Sequence, residues 1–455
     1  MSINGHRERC EFCGRYLDEV GPNHDCGEQM AEFQYYETFN SFSLPRPEVD
    51  VLRELGEALD QEPTLLPEVE VEDRPTEENC FLVGVRGKHI RKLVIGGKQT
   101  TDLPTSLKHL LYLDSLVLRH TNLVNFPNLS KQKFLVTLDL SFNNLEVIPK
   151  QIRLQKNLQV LRLEGNAISA ITPRVGLLRL LQDLHLGSNI LAEVPDSLGN
   201  LKRLTSLSLA DNQFEECPTE VFSYPNLRHL DLSHNFLAEL PRGLFRLHQL
   251  EHLNLSYNSL GAIQNLDLYL LRNLKYLSLD SIDCTEFPSD IFSLEHLQSL
   301  SYVGNNVEDS DLEVRKLSKV RELRSLNLSQ NALVKPTYQL GRLVNLQSLD
   351  LSFNHITALP GKVGDLTNLR HLYLNNNSLA DLPNSFEAIL PNLRVLDLRN
   401  NEFTDIPLWL SPSAVKKTLN CQVRVGGNPF SRQWVEDRLP VLVEDYGKVG
   451  IALLW

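Results

Sequence analysis

Long apolar runs are missing from this chain of 455 residues. No stretch approaches the roughly 18 consecutive apolar residues that a membrane-spanning helix requires. The opening residues, MSINGHRERC, are polar and contain no apolar segment of the kind found in secretory signals. We therefore expect neither a membrane span nor a secretory signal.

Cysteine is scarce, with seven in the whole chain. A secreted domain held together by disulfides uses cysteine far more densely. Outside the first 30 residues, the cysteines are scattered at Cys80, Cys217, Cys284 and Cys421. This usage fits a reducing compartment and predicts a cytoplasmic location.

Excess positive charge is missing as well. The formal net charge is −12, and residues 31–78 account for most of it, with 14 acidic residues against 3 arginines. The rest of the chain is nearly neutral and lacks the cationic field that a phosphate backbone requires, so we expect no nucleic-acid partner. The sequence also has no serine-hydrolase elbow, phosphate-binding loop or H-E-x-x-H motif, which predicts a protein that is not an enzyme.

The chain does contain one sequence unit repeated many times. Its pattern is L-x-x-L-x-L-x-x-N-x-L-x-x-x-P, as in LVTLDLSFNNLEVIPKQIRLQKN, which begins at residue 135. Units begin at residues 90, 113, 135, 158, 181, 204, 227, 250, 274, 297, 323, 346, 369 and 393, and a degenerate fifteenth unit spans 421–430. Such a period is the signature of a solenoid, in which a single repeat cannot bury its leucines but a stack can.

Each part of the unit predicts a local structure. The L-x-L core alternates with period two, as a short strand does. The asparagine eight residues after the start of the unit can hydrogen-bond the backbone of the turn that follows the strand, so stacked repeats should form an asparagine ladder. We predict this ladder at Asn143, Asn166, Asn189, Asn212, Asn235, Asn258, Asn305, Asn331, Asn354, Asn377, Asn401 and Asn428.

The units at 346–360 and 369–383 resemble leucine-rich repeats, and more narrowly those of the intracellular 23-residue class. That class includes Ras-associated leucine-rich scaffolds and plant intracellular Ras-group-related proteins. The resemblance implies an α/β leucine-rich-repeat solenoid, a horseshoe with a parallel concave sheet of about 14 repeats plus a degenerate last one. It also implies that the concave sheet binds proteins.

Composition divides the chain into four predicted segments. Residues 1–30 are a predicted zinc knuckle, 31–79 an acidic arm with a short amphipathic helix at 47–61, 80–428 the solenoid and 429–455 a C-terminal cap. We expect residues 80–95 to supply an edge strand and the first repeat. We expect the helix either to cap the first repeats or to dock a partner, and the C-terminal cap to cover the last repeat with Trp434, Leu439, Val441, Leu442 and the final residues IALLW.

The zinc prediction depends on four side chains near the start of the chain. Cysteine and histidine are the ligands that structural Zn²⁺ prefers, and four of them complete a tetrahedral site. Such a short segment has almost no core, so a metal could fold it. Unliganded cysteines, a disulfide cap and a catalytic zinc are the alternatives. The predicted ligands are Cys10, Cys13, His24 and Cys26.

The partner-binding prediction falls on the third, fifth, seventh and eighth positions of each repeat, which should face the concave surface. Histidine and tyrosine are concentrated there in repeats five to nine, and His229 and His252 occupy the same position in adjacent repeats. We interpret this cluster as a pH-sensitive or aromatic-rich protein-binding patch; the alternative is an ordinary solvated sheet face. The predicted contact residues are Arg162, Asp183, His185, His229, Asp231, His252, Asn254, Tyr257, Tyr276 and Tyr373.

These observations favour a protein-interaction scaffold or adaptor whose concave surface binds a protein partner. The alternative is a subunit that recruits substrates to a ubiquitin ligase or another enzyme complex and docks through residues 1–30.

Overall fold

A computed structural model gives the fold for residues 36–68, 71, 79–100, 102–261, 268–284, 287–288, 291, 293–309, 319–336, 338–410 and 420–454. The chain divides into two compact units, one ending at Leu184 and the other beginning at His185. The four predicted zinc ligands lie outside the described residues.

The described residues of the first unit form helix α1 and strands β1 to β8. Strands β1 and β2 form an antiparallel hairpin, and β3 to β8 form a sheet in chain order. The strands are β1 (Tyr36–Phe39), β2 (Phe42–Pro45), β3 (Thr64–Pro67), β4 (Cys80–Arg86), β5 (His89–Gly96), β6 (Ser115–Arg119), β7 (Thr137–Asp139) and β8 (Val160–Arg162), with helix α1 at Arg46–Leu59 between β2 and β3.

The start of this sheet corrects the expectation for residues 80–95. Strands β4 and β5 pair antiparallel around a turn at Gly87, whereas every later pair in this sheet of the first unit is parallel. Strand β4 is not an edge, because β3 pairs with its other side. Antiparallel strands can be joined by a two-residue turn. The repeat pattern predicts only parallel strands, so it gave no sign of this hairpin.

Helix α1 starts one residue before the predicted helix and ends two residues earlier. Its predicted apolar face is buried, with Val51, Leu55 and Leu59 all inside. The helix ends where Asp60 adopts a left-handed conformation, with φ of 48°. It contacts the 3₁₀ helix Thr105–His109 and so covers apolar surface there.

Strand β9 (Asp183–His185) lies at the boundary, and the second unit continues the repeats. In the second unit, each strand from β10 to β19 pairs in parallel with the next strand in the chain. The strands are β10 (Ser206–Ser208), β11 (His229–Asp231), β12 (His252–Asn254), β13 (Tyr276–Ser278), β14 (Ser299–Ser301), β15 (Ser325–Asn327), β16 (Ser348–Asp350), β17 (His371–Tyr373), β18 (Val395–Asp397), β19 (Cys421–Arg424) and β20 (Ile451–Leu454).

Most repeats return through a short 3₁₀ helix that usually follows the proline of the pattern. In most of the three-residue strands the middle leucine is buried and its two neighbours are at least partly exposed, as in β11, β12 and β13, whereas all three residues of β7 are buried. In the part of the chain that the structure describes, the named 3₁₀ helices are Thr105–His109, Lys150–Leu154, Pro173–Leu177, Asp196–Asn200, Thr219–Ser223, Arg242–Arg246, Leu268–Leu270, Tyr338–Arg342, Gly361–Asp365, Asn384–Ala388, Leu390–Asn392 and Leu408–Leu410.

The predicted asparagine ladder is confirmed. Asn235 is typical: its Oδ1 accepts from the Phe214 amide at 3.1 Å, and its Nδ2 donates to the carbonyls of Leu209 and Leu232 at 3.0 and 3.1 Å. These bonds satisfy buried backbone groups that have no strand partner, which is why the position requires a side chain that both donates and accepts.

The residue before the ladder asparagine adopts a left-handed conformation, which the sequence interpretation did not predict. His234 and Tyr257 have φ of 53° and 57°, and Gly165 and Gly304 occupy the same position with φ of 67°. The two glycines were the available signal, because this conformation favours glycine.

The C-terminal segment forms helices α2 (Arg432–Asp437) and α3 (Leu439–Lys448), followed by strand β20 against β19. Trp434 is buried, and its indole N–H donates to Asp405 at 3.1 Å. Val441 is 57% exposed, which corrects its predicted place in the cap. The helix turns that side chain to solvent and buries Tyr446 instead.

Candidate functional site

The predicted contact residues fall in both units. Arg162 lies on β8 and Asp183 on β9, in the first unit. Arg162 occupies the same register position as Asp139 on the neighbouring strand β7. The other predicted contacts belong to the second unit.

Three of them form a continuous row on adjacent strands. His229, His252 and Tyr276 are register partners on β11, β12 and β13. The ring centroids of His229 and His252 are 4.3 Å apart, and those of His252 and Tyr276 are 4.1 Å apart, nearly parallel at 9°. We call these three residues the aromatic row. The prediction that His229 and His252 are neighbours on one sheet is confirmed.

The aromatic row borders a groove on the solvent face of the sheet, with a volume of about 520 Å³. His185, Asp231 and Asn254 also line this groove, so several predicted contacts meet there. Five serines also line the groove. They hold the third and fifth repeat positions, which were expected to face the concave surface, but they were not among the predicted contact residues. The five serines are Ser206, Ser208, Ser278, Ser299 and Ser301.

Hydrogen bonds hold the polar floor of the groove in place. Asp231 accepts from the Ser233 hydroxyl at 2.6 Å and from its amide at 3.0 Å. The hydroxyls of Ser256 and Ser278 lie 2.9 Å apart on adjacent repeats. A floor whose side chains are already ordered loses little conformational freedom when a partner binds.

Electrostatics keep the centre of the aromatic row neutral. Burial lowers the pKa of His252 below its ordinary value, and the neighbouring His229 and Lys275 lower it further against the opposing effect of Glu251. His252 is therefore uncharged near neutral pH and presents an imidazole face, which suits stacking and apolar contact.

A second stacked pair lies in the turns that follow strands β11 and β12, just before the ladder asparagines. His234 and Tyr257 have ring centroids 4.1 Å apart, and Tyr257 is 48% exposed. Tyr373 is separate from both groups, because it lies on β17 between Asp350 and Asp397.

A larger surface depression of about 980 Å³ lies in the same unit, and none of the predicted contacts lines it. Its lining includes Glu193, Asp211, Glu215, Glu216 and Glu220 and no basic residue. Exposed carboxylates contribute little binding free energy individually, whereas buried aromatic anchors contribute much. The aromatic row with its groove is therefore the better candidate for a protein contact.

In the described part of the chain, no group of three or more His, Cys, Asp or Glu side chains is placed to hold a metal ion. None of the helices described there is long and apolar enough to cross a bilayer. The predicted zinc ligands and the docking element of the alternative function lie outside those residues.

Models of two repeat families match parts of the sequence. "Leucine rich repeat" matches residues 156–214 and 225–283, and "Leucine Rich repeats (2 copies)" matches 344–387 and 367–413. No curated protein sequence matches the chain.

Solved structures share the fold. A leucine-rich repeat protein of Leptospira interrogans is similar over 90% of this chain and 98% of its own, with 26% identity and a TM-score of 0.68. The PEPR1–AtPEP1 structure is similar over 84% of this chain and 55% of that one, with 25% identity and a TM-score of 0.58. The Arabidopsis receptor kinase HAESA, solved with the peptide hormone IDA and the co-receptor SERK1, covers 85% and 74% at 22% identity and a TM-score of 0.54.

Proposed function

Taking the chain as a leucine-rich repeat protein, we propose that it is a non-enzymatic interaction scaffold or adaptor that holds a protein partner against the aromatic row and its groove. The observation that carries this proposal is the row itself, in which three stacked rings lie on adjacent strands. Leucine-rich repeat folds typically serve as binding scaffolds, because stacked repeats create extended binding surfaces.

The chemistry of the row supports a protein partner. Aromatic side chains provide most of the energetic anchors in protein interfaces, and histidine and tyrosine combine an apolar face with a polar edge. Tyr276 is 41% exposed, so its ring is accessible and leaves apolar area for a partner to cover. The PEPR1–AtPEP1 structure, at 25% identity, adds support for a partner of protein or peptide nature.

We also propose that the protein belongs to the intracellular 23-residue class and works in the cytoplasm. The repeat spacing supports the class. Cys217 and Cys421 support a reducing compartment, because both are free thiols without a disulfide. Both are buried, and burial raises their pKa values to about 12. Thiols in such surroundings stay protonated and unreactive.

Comparative affinity capture tests the proposed surface. The full chain is used as bait in three forms: unchanged, with His229→Ala, His252→Ala and Tyr276→Ala together, and with the control changes Tyr269→Ala and Tyr338→Ala. The control tyrosines are about as exposed but belong to 3₁₀ helices away from the sheet.

Captured proteins are quantified by mass spectrometry. We expect at least one protein that the unchanged bait and the control capture equally and that the aromatic-row variant loses. If all three baits capture the same proteins in the same amounts, the aromatic row is not the contact surface.

A further inference from the structure

The residue that precedes each strand of the second unit forms a row across the sheet. On β15, β16, β17 and β18 this residue is Arg324, Gln347, Arg370 and Arg394. Backbone hydrogen bonds fix the order, since each amide donates to the carbonyl before it: Gln347 to Arg324 at 2.7 Å, Arg370 to Gln347 at 2.8 Å and Arg394 to Arg370 at 2.7 Å. We call the three arginines the arginine row.

The same position on β11, β12 and β13 is occupied by two cations that share one carboxylate. Glu251 lies between Arg228 and Lys275, with backbone bonds of 2.8 Å on both sides. Its carboxylate accepts from Lys275 at 2.6 Å and from the Arg228 guanidinium. The hydrogen bond from Lys275 lowers the pKa of Glu251, so the carboxylate stays charged. In this part of the sheet, one carboxylate bridges two cations across three strands.

The arginine row has the same backbone frame without that carboxylate. Gln347 occupies the place of Glu251, and it is neutral. Among the described residues, Arg324, Arg370 and Arg394 form no ion pair, and all three are exposed. Their positive field reaches the neighbouring strand, because the pKa of His371 is lowered first by burial and then by Arg394 and Arg370.

We propose that the arginine row binds carboxylates of an acidic, extended segment of the protein partner. A partner carboxylate would lie between Arg324 and Arg370, as Glu251 lies between Arg228 and Lys275. Charge complementarity supports this partner, because guanidinium groups pair with carboxylates through two parallel hydrogen bonds. The inference rests on the proposed function and adds the chemical class of the partner.

Direct binding of a defined probe tests this inference. The probe is a fluorescently labelled hexaglutamate peptide, titrated with the full chain and followed by fluorescence anisotropy at low salt. The whole protein is acidic, with a net charge of −12, so binding would reflect a local basic site. We expect binding that weakens as salt is added.

Matched variants locate the site. Gln347→Glu supplies the missing carboxylate within the chain, and we expect it to weaken probe binding by about tenfold, which corresponds to loss of about one strong charged contact. Its control is Gln249→Glu, an exposed residue outside the row. Arg370→Gln with Arg394→Gln should have a similar effect, whereas Arg242→Gln with Arg246→Gln, on a 3₁₀ helix, removes equal charge and should have little effect.

Three results would overturn the inference: no probe binding, equal loss in the row variants and their controls, or displacement of the probe by inorganic phosphate at lower concentration than by free glutamate. None of these results decides the proposed function, because the capture experiment changes only the aromatic row.

Discussion

The asparagine ladder makes a quantitative prediction for Asn235→Ala. Asn235 is buried, and its side chain bonds the Phe214 amide and the carbonyls of Leu209 and Leu232. Alanine removes the acceptor and both donors without opening a path for water. The variant therefore leaves one amide and two carbonyls buried without these partners.

An unsatisfied buried polar group costs roughly 1–3 kcal/mol, so three of them predict a loss of at least about 3 kcal/mol in the free energy of unfolding. The matched control is Asn226→Ala. Asn226 is exposed and donates one bond of 3.3 Å to the Lys202 carbonyl, so its loss should cost less than about 0.5 kcal/mol.

Urea denaturation followed by circular dichroism measures both variants. Hydrogen exchange adds a local readout, because the Phe214 amide should exchange faster in Asn235→Ala even if distant repeats unfold separately. A loss in Asn235→Ala no larger than that in Asn226→Ala, with unchanged exchange at Phe214, would refute the assignment of the ladder as a main source of stability.

Three further predictions concern other parts of the chain. Full-length protein from zinc-replete cells should contain about one zinc per chain by mass spectrometry, and serine at all four predicted ligands in residues 1–30 should remove it; a content well below one would reject the zinc knuckle. Gly341→Ala should destabilise the protein by about 1–3 kcal/mol in thermal unfolding, because its Cβ would lie 2.0 Å from the Lys362 carbonyl oxygen. Gly447→Ala meets no atom within 4 Å and should be neutral or stabilising, so equal losses would contradict the packing. The unfolded chain takes up the His252 proton at higher pH than the folded chain, so stability should fall as pH drops through about 6.5, and it should fall less in His252→Gln; an identical pH dependence of unfolding would contradict this.

The ladder and the strands were predictable because they depend on one local requirement repeated at a fixed spacing. An asparagine at each turn identifies the strand before it, and equal positions in adjacent repeats become neighbours on the sheet. The contact between His229 and His252 follows from that register alone. The arrangement of Tyr276 beside them follows in the same way.

The parts that sequence interpretation missed depend on contacts outside the repeat. Glu48 of α1 is 1% exposed and accepts bonds of 2.8 Å from the His89 ring and from the Ile90 amide. The charge pattern of α1 gives no sign of this buried carboxylate. The pairing of β3 with β4 and the exposure of Val441 were missed for the same reason. Each depends on how one non-repeated segment packs against the rest of the chain, which the repeat pattern does not encode.

Photo-crosslinking from inside the groove tests the central claim most directly. Asn254→p-benzoylphenylalanine places a reactive group beside the aromatic row, and Tyr338→p-benzoylphenylalanine places one on a 3₁₀ helix as the control. We predict that irradiation in cells gives a covalent protein adduct from position 254 that disappears when His229 and Tyr276 are changed to alanine. An adduct only at position 338, or one at 254 unchanged by those substitutions, would contradict the account.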